Sequence, residues 1–211
     1  EAAEIIIFDN SGSMTGRNLE AAKHAASVAV DQIVDGTYFA IIAGSHVAER
    51  VFPYPNAPVA MVRMEPRARD EAKRAISRVQ ASGGTAMSSW LMLANQTFAT
   101  LPPGIRKHAI LLTDGKNESE PEGNLQRAIR AVQGSFQCDA RGVGDRWVVS
   151  EVREIATAML GSVGLIADPS GIAADFEQLI RSSMARGIAT ASLRVWTPQG
   201  AVTRVDPNRL A

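Results

Sequence analysis

The 211-residue chain predicts an α/β protein with a doubly wound, mostly parallel central sheet, helices on both faces and a C-terminal β-hairpin. Three observations lead to this fold class. Short, continuous apolar runs such as Ile5-Ile6-Ile7-Phe8 and Ala109-Ile110-Leu111-Leu112 read as strands covered on both faces, as in a parallel sheet. Segments with apolar residues at three- and four-residue spacing alternate with these runs, which is the strand–helix–strand pattern of an open sheet. The runs also end in small polar turns, as in Asp9-Asn10-Ser11-Gly12-Ser13 and Thr113-Asp114-Gly115. In an open sheet, ligands bind at those carboxyl ends.

The elements follow in order. After the first strand, Leu19, Ala22, Ala26, Val30 and Ile33 define a helix from about Asn18 to Val34, closed by Asp35-Gly36. Tyr38 to Ala43 is a second buried strand, and Val47 to Phe52 its hairpin partner or an edge strand. Val59 to Met64 reads as a short strand or irregular cover. Pro66 opens a helix with Ala68, Ala72, Ala75, Ile76 and Val79 inward, since a proline loses nothing at a first helical position. Its basic-leaning outer face reads as solvated. Ala81 to Thr85 is a breaker cluster, and Met87, Leu91, Ala94, Phe98 and Leu101 line the next helix.

The third buried strand spans His108 to Thr113. Leu125, Ala128, Ile129 and Val132 mark a helix, and Phe136 to Val143 a fourth parallel strand ending in Gly142-Val143-Gly144-Asp145. A helix over Val148 to Met159, a short strand over Val163 to Ala167 and a last helix over Ile172 to Met184 complete the alternation. Ala191 to Val195, the Pro198-Gln199-Gly200 turn and Ala201 to Val205 then form the hairpin. It either packs on the domain or opens a further β-rich one.

Composition excludes several classes. Lys plus Arg equals Asp plus Glu at 22 each, so bulk charge gives no pull toward nucleic acid or an anionic membrane. No apolar stretch reaches membrane-spanning length. Cys138, the one cysteine, reads as a buried small side chain and leans toward a reducing, cytoplasmic setting. The start at Glu1 reads as an excised fragment, which leaves localisation open. His24, His46 and His108 lack the spacing of zinc ligands, and His108 reads as a core or surface residue. Trp90, Trp147 and Trp196 are too scattered for a base-stacking platform. Gly142-Val143-Gly144 lacks the third glycine of a dinucleotide loop.

The chemistry gathers at three turns. Asp9, Ser11 and Ser13 offer oxygen side chains at alternate positions after the first strand, with no His or Cys nearby. Asp114 ends a strand that can neighbour the first, and Gly83-Gly84 points Thr85 toward the same crevice. An all-oxygen set suits a hard cation such as Mg²⁺.

Together, Asp9-Asn10-Ser11-Gly12-Ser13-Met14, Gly84-Thr85 and Thr113-Asp114-Gly115 resemble the bacterial-type von Willebrand factor type A (vWA) domain and its metal-ion-dependent adhesion site (MIDAS). The resemblance runs over roughly Ile5 to Gly187 and divides the chain into a vWA domain at 1–187 and the hairpin at 188–211. It implies five metal ligands, Asp9, Ser11, Ser13, Thr85 and Asp114, with one or both aspartates acting through water. It implies Mg²⁺, with Mn²⁺ or Ca²⁺ as substitutes, and a partner protein whose Asp or Glu fills the open coordination position. Glu118 and Glu120 are placed to line the rim or occupy that position. In related domains the metal site can be coupled to a shift of the last helix, here Ile172 to Met184.

The reading is thus a non-enzymatic, Mg²⁺-dependent protein-interaction module, its oligomeric state open. A second reading is a regulatory vWA subunit acting with an AAA-type ATPase. A third is a Mg²⁺-dependent phosphohydrolase of the haloacid-dehalogenase type, which needs a carboxylate two residues after its first aspartate. Ser11 stands there, a poor proton carrier at neutral pH.

Overall fold

In the computed structural model, β1 (Ala2–Asp9) runs through the middle of a seven-stranded sheet, and Ile5, Ile6, Ile7 and Phe8 are fully buried. The structure describes residues 1–144 and 149–185, with the backbone of 193–196 and 202–205. β1 is parallel to β2 (Tyr38–Gly44) on one side and to β5 (Arg106–Thr113) on the other. β6 (Gln137–Val143) and β7 (Val163–Ile166) extend the parallel set beyond β5. β3 (Ala48–Phe52) is an antiparallel edge strand on β2, and the two-residue β4 (Val62–Arg63) also pairs with β2. The order along the sheet is β3-β2-β1-β5-β6-β7.

Helices cover both faces. Ile6, Phe8, Ile41, Ile110 and Leu112 meet α1 (Arg17–Gln32), α2 (Pro66–Ser77) and α6 (Ile172–Ala185). Ile5, Ile7, Ile42 and Leu111 meet α3 (Met87–Ala99), α4 (Asn124–Val132) and α5 (Val149–Ala158). Successive strand residues face opposite layers, so covering both faces turns a period-two pattern into an unbroken apolar run. Each such Ile or Phe contributes about 1.5–3 kcal/mol of transfer free energy. On α1, Ala22, Ala25, Ala26 and Ala29 are fully buried, and these small side chains let the helix lie close against its neighbours, α6 among them.

Several boundaries differ from the sequence-based expectation. α1 stops at Gln32, and Val34 is 59% exposed. β5 begins at Arg106, two residues before His108, because Ala2 and Ala3 of β1 pair with Arg106 and Lys107. Only Val62 and Arg63 of the 59–64 stretch join the sheet. β8 (Leu193–Trp196) and β9 (Val202–Val205) pair antiparallel as a separate two-stranded sheet. The expected turn at Pro198 to Gly200, the ends of the hairpin at Ala191 and Ala201, the boundary at Gly187, and Asp145, Trp147 and Val148 lie outside the described residues. Among the described residues, no helix is long and apolar enough to cross a membrane.

One row of charge crosses the core under α6. His108 sits between two buried carboxylates, with Nδ1 2.6 Å from Glu4 Oε2 and Nε2 2.9 Å from Asp139 Oδ2. Glu4 also accepts from the Ser183 hydroxyl of α6, and Asp139 Oδ1 accepts from the Ser162 N–H and hydroxyl. Arg141, on the same face of β6, donates to Asp175 of α6 at 2.8 Å and to Ser162 O at 3.0 Å. Burial pushes the His108 pKa down, but the charges and hydrogen bonds of Glu4 and Asp139 outweigh it and raise the pKa to about 9. Burial acts on Asp139 in the opposite sense to the hydrogen bonds from His108 and Ser162, which win and lower its pKa. His108 is therefore a buried imidazolium that brings its own counterions.

Candidate metal site

The carboxyl ends of β1 and β5 bring Asp9 and Asp114 into one crevice, since Phe8 pairs with Leu112 and the two strands end together. Backbone bonds lock the turn after β1 to the 82–85 loop: Ser82 N–H donates to Asn10 O and Gly12 N–H to Gly83 O, both at 2.8 Å. Asn10 N–H donates to Gly44 O at the end of β2, also at 2.8 Å. A single helical turn over Gly12 to Met14 then faces Ser13 into the crevice and buries Met14.

Four of the five oxygen-bearing residues, Asp9, Ser11, Ser13 and Asp114, form one hydrogen-bonded network. Ser11 N–H donates to Asp9 Oδ1 at 2.7 Å, and the Ser11 and Ser13 hydroxyls lie 3.0 Å apart. The Ser13 hydroxyl donates to Asp114 Oδ1 at 2.6 Å. Thr85 converges from the opposite loop. A Cβ built on Gly115 would sit 3.0 Å from Thr85 Oγ1, 3.5 Å from Ser13 Oγ and 3.8 Å from Asp9 Oδ2. Gly115 thus leaves open a point around which oxygens from two loops gather, and any side chain there would fill it. Ser11, Ser13, Thr85 and Gly115 line a cleft of about 350 Å³ that opens past Gly83, Gly84, Lys116 and Glu118.

Two further residues hold the aspartates, and sequence reasoning missed both. The Thr113 hydroxyl donates to Asp9 Oδ2 at 2.6 Å, and Asn18 Nδ2, from the first turn of α1, donates to Asp114 Oδ2 at 2.8 Å. Thr113 carried a signal in its place directly before Asp114. Asn18 carried none, because its role depends on how α1 docks.

Of the two candidate rim glutamates, Glu118 lines the cleft. Glu120 does not: its carboxylate receives the Ser88 N–H at 3.2 Å and the Ser88 hydroxyl, because the first turn of α3 has free N–H groups to satisfy. Trp90 is buried as packing, with Nε1 donating to Ser45 O at 2.7 Å, and the exposed His46 lays its ring against Gly83. Cys138 is buried, and burial pushes its thiol pKa up, so it stays a thiol.

The charge balance is unusual. Asp9 and Asp114 are 0% and 2% exposed, and the Ser11, Thr113, Ser13 and Asn18 groups that donate to their oxygens are all neutral. Burial raises the Asp9 pKa to about 6, hydrogen bonds from Ser11 and Thr113 oppose this, and the Asp114 charge adds to the rise. A divalent cation fits these donors. The Ser13 proton already goes to Asp114, so Ser11 donates to Ser13, and one lone pair of Ser13 with those of Ser11 is left to face an ion. Among the described residues no group of three or more His, Cys, Asp or Glu side chains is arranged so that it could hold a metal ion by itself.

Comparison with known proteins places this geometry. A family model for the von Willebrand factor type A domain matches residues 3–163. The uncharacterized protein sll0103 of Synechocystis sp. is 30% identical over 207 residues, covering 96% of this chain and 46% of that protein. A von Willebrand factor type A structure from Catenulispora acidiphila superposes with a TM-score of 0.87 at 44% identity, covering 94% of this chain and 46% of that one. Proximal thread matrix protein 1 from the mussel byssus, with a zinc-occupied MIDAS motif, shares the fold at a TM-score of 0.68 and 22% identity, covering 86% and 46%. The chain spans about half the length of each of these relatives. With that family model spanning most of its length, the chain belongs to the von Willebrand factor type A domain family.

Proposed function

We propose that the domain is a divalent-metal-dependent protein-interaction module, with Mg²⁺ held by Asp9, Ser11, Ser13, Thr85 and Asp114. The carrying observation is the pair of buried carboxylates bonded only to neutral groups, with the Ser13 and Thr85 hydroxyls and an Asp9 oxygen converging on one open point and the Ser11 hydroxyl bonded to Ser13 beside it. Two buried negative charges without a cation are costly, and a divalent ion would remove that cost. The all-oxygen donor set suits Mg²⁺, with Mn²⁺ or Ca²⁺ as substitutes. The zinc-occupied MIDAS of the mussel protein supports a divalent ion in this fold.

Hydroxyl ligands leave most of the ion's charge uncompensated, so an open coordination position attracts a partner's Asp or Glu. Lys116, exposed on the cleft wall, adds a second attraction for that carboxylate. The role is adhesion without bond-making. Ser11 is buried and bonded to Ser13, and it offers no proton-carrying carboxylate at the position a phosphohydrolase needs.

Thermal melts in EDTA, Mg²⁺ and Mn²⁺ test this. Wild type should gain stability with either metal, by about 2.7 kcal/mol at a hundredfold excess over Kd. The Ser11→Ala/Ser13→Ala variant should gain none. Identical wild-type melts in all three conditions would overturn the reading.

A further inference from the structure

The five residues that follow Asp114-Gly115 form a strap across the Thr85 loop. Thr85 N–H donates to Ser119 Oγ at 3.1 Å, and Ser119 N–H donates back to Thr85 O at 3.0 Å. Met87 N–H donates to Asn117 Oδ1 at 2.8 Å, and Ser88 is held by Glu120. Asn117 N–H donates to Glu151 Oε2 of α5 at 3.1 Å, which anchors the strap from its other side. Thr85 itself is 4% exposed and has both backbone groups engaged by this one serine. The packing is equally direct: a Cβ built on Gly84 would lie 1.8 Å from Ser119 Oγ and 2.9 Å from Ser119 Cβ. Glycine at 84 is what lets Ser119 reach the Thr85 amide.

We propose that Ser119 is a positioning residue for the metal, fixing Thr85 Oγ1 at the open point beside Gly115 and tying it to the loop that carries Asp114. The inference rests on the metal reading and extends it, because Ser119 is not a ligand. Its effect is geometric. Thr85 enters from a different loop than Asp9, Ser11 and Ser13, and of the Thr85 backbone groups the N–H and C=O are both set by Ser119. A ligand held on two sides needs no ordering when the ion arrives, and outer-shell partners of this kind shape metal affinity. Lys116 and Glu118 ride on the same strap and line the cleft, so a partner that touches either one touches the element that sets Thr85.

Two measurements on the intact chain decide it. Titration calorimetry with Mg²⁺ alone should show about tenfold weaker binding for Ser119→Ala than for wild type, the size expected for loss of an outer-shell contact. Ser119→Thr, which keeps the hydroxyl, should restore most of it, and Gly84→Ala, which displaces Ser119, should reproduce the loss. Ser119→Ala/Thr85→Ala should bind no more weakly than Thr85→Ala, since both changes act through one ligand. In EDTA, hydrogen exchange at the Thr85 amide should quicken in Ser119→Ala. Wild-type Mg²⁺ affinity in Ser119→Ala, or unchanged exchange at Thr85, would overturn the proposal. A wild type that binds no Mg²⁺ would overturn the metal reading as well, and the exchange arm would still report whether Ser119 holds Thr85.

Discussion

β1 and β5 carry two polar clusters, one at each end, and they solve the problem of buried charge in opposite ways. At the lower end Glu4 and Asp139 close on the His108 imidazolium, so the row is internally neutralised. At the upper end Asp9 and Asp114 meet only serine, threonine, asparagine and backbone donors. The pKa directions follow this division. Asp139 is driven down by its hydrogen bonds to His108 and Ser162, whereas burial drives Asp9 up to about 6. Strands, burial and carboxylate chemistry are shared, and what differs is the origin of the positive charge. The lower cluster is finished when the chain folds. On the proposed reading, the upper one is finished by a cation that arrives.

The largest expected effect would break this contrast at its lower end. His108→Ala leaves Glu4 and Asp139 buried without their cation and should cost about 3–5 kcal/mol in urea denaturation, with or without Mg²⁺. At the upper end Asp9→Asn should do the reverse. It keeps an acceptor for Ser11 and removes a buried charge, so in EDTA its stability should stay within about 1 kcal/mol of wild type. Its Mg²⁺-dependent rise in Tm should vanish. Equal losses in the two variants would show that both clusters are merely structural.

pH separates the ends further. Asp9 in metal-free protein keeps its proton longer when folded than when unfolded, so this group lowers stability as pH rises from about 4 to about 6. The ion needs that carboxylate ionised, so Mg²⁺ affinity should climb through about pH 6 in calorimetric titrations. His108 has its folded-state pKa raised, so its contribution is complete below about pH 6.5 and is lost as pH climbs through about 9. Asp139, with a lowered pKa, contributes above its usual value near 3.8 and loses that contribution as pH falls. Urea midpoints from about pH 2 to about pH 10, with EDTA and with Mg²⁺, would resolve these windows. The smallest effect belongs to solvent-exposed charge: Arg17→Ala removes a pair with Asp168 that is open to water on both sides, and Tm should not move measurably.

The site was more legible in the sequence than its supports. Asp9, Ser11, Ser13 and Asp114 could be read because strand ends are marked by abrupt changes from apolar to polar. Thr85 could be read because two glycines precede it. Thr113, Asn18 and Ser119 act through contacts between loops and helices that no local pattern encodes. The lower row was hidden for a related reason. Glu4 faces His108 only because β1 and β5 pair in one particular register, and Asp139 reaches His108 from a position opposite Ile110. Read one strand at a time, none of the three shows which partner it will face. The buried strands of the sheet were readable, since their apolar runs depend on burial alone, while the two-residue β4 is placed by its pairing with Tyr38 and Phe39 and by the bonds of Arg63 to Gly36, Tyr38 and Glu1.

The charged row under α6 also constrains motion. Ser183 near the end of the helix is fastened to Glu4 on the central strand, and Asp175 near its start to Arg141 two strands away. Sliding α6 along the sheet by one turn, about 5.4 Å, would shear both fastenings at once and expose a buried carboxylate and a buried guanidinium. The helix is riveted at two points rather than resting on grease. If a partner grips the top of the sheet as proposed, it has no loose rod beneath it to push, and pull applied through it would be borne by the whole slab.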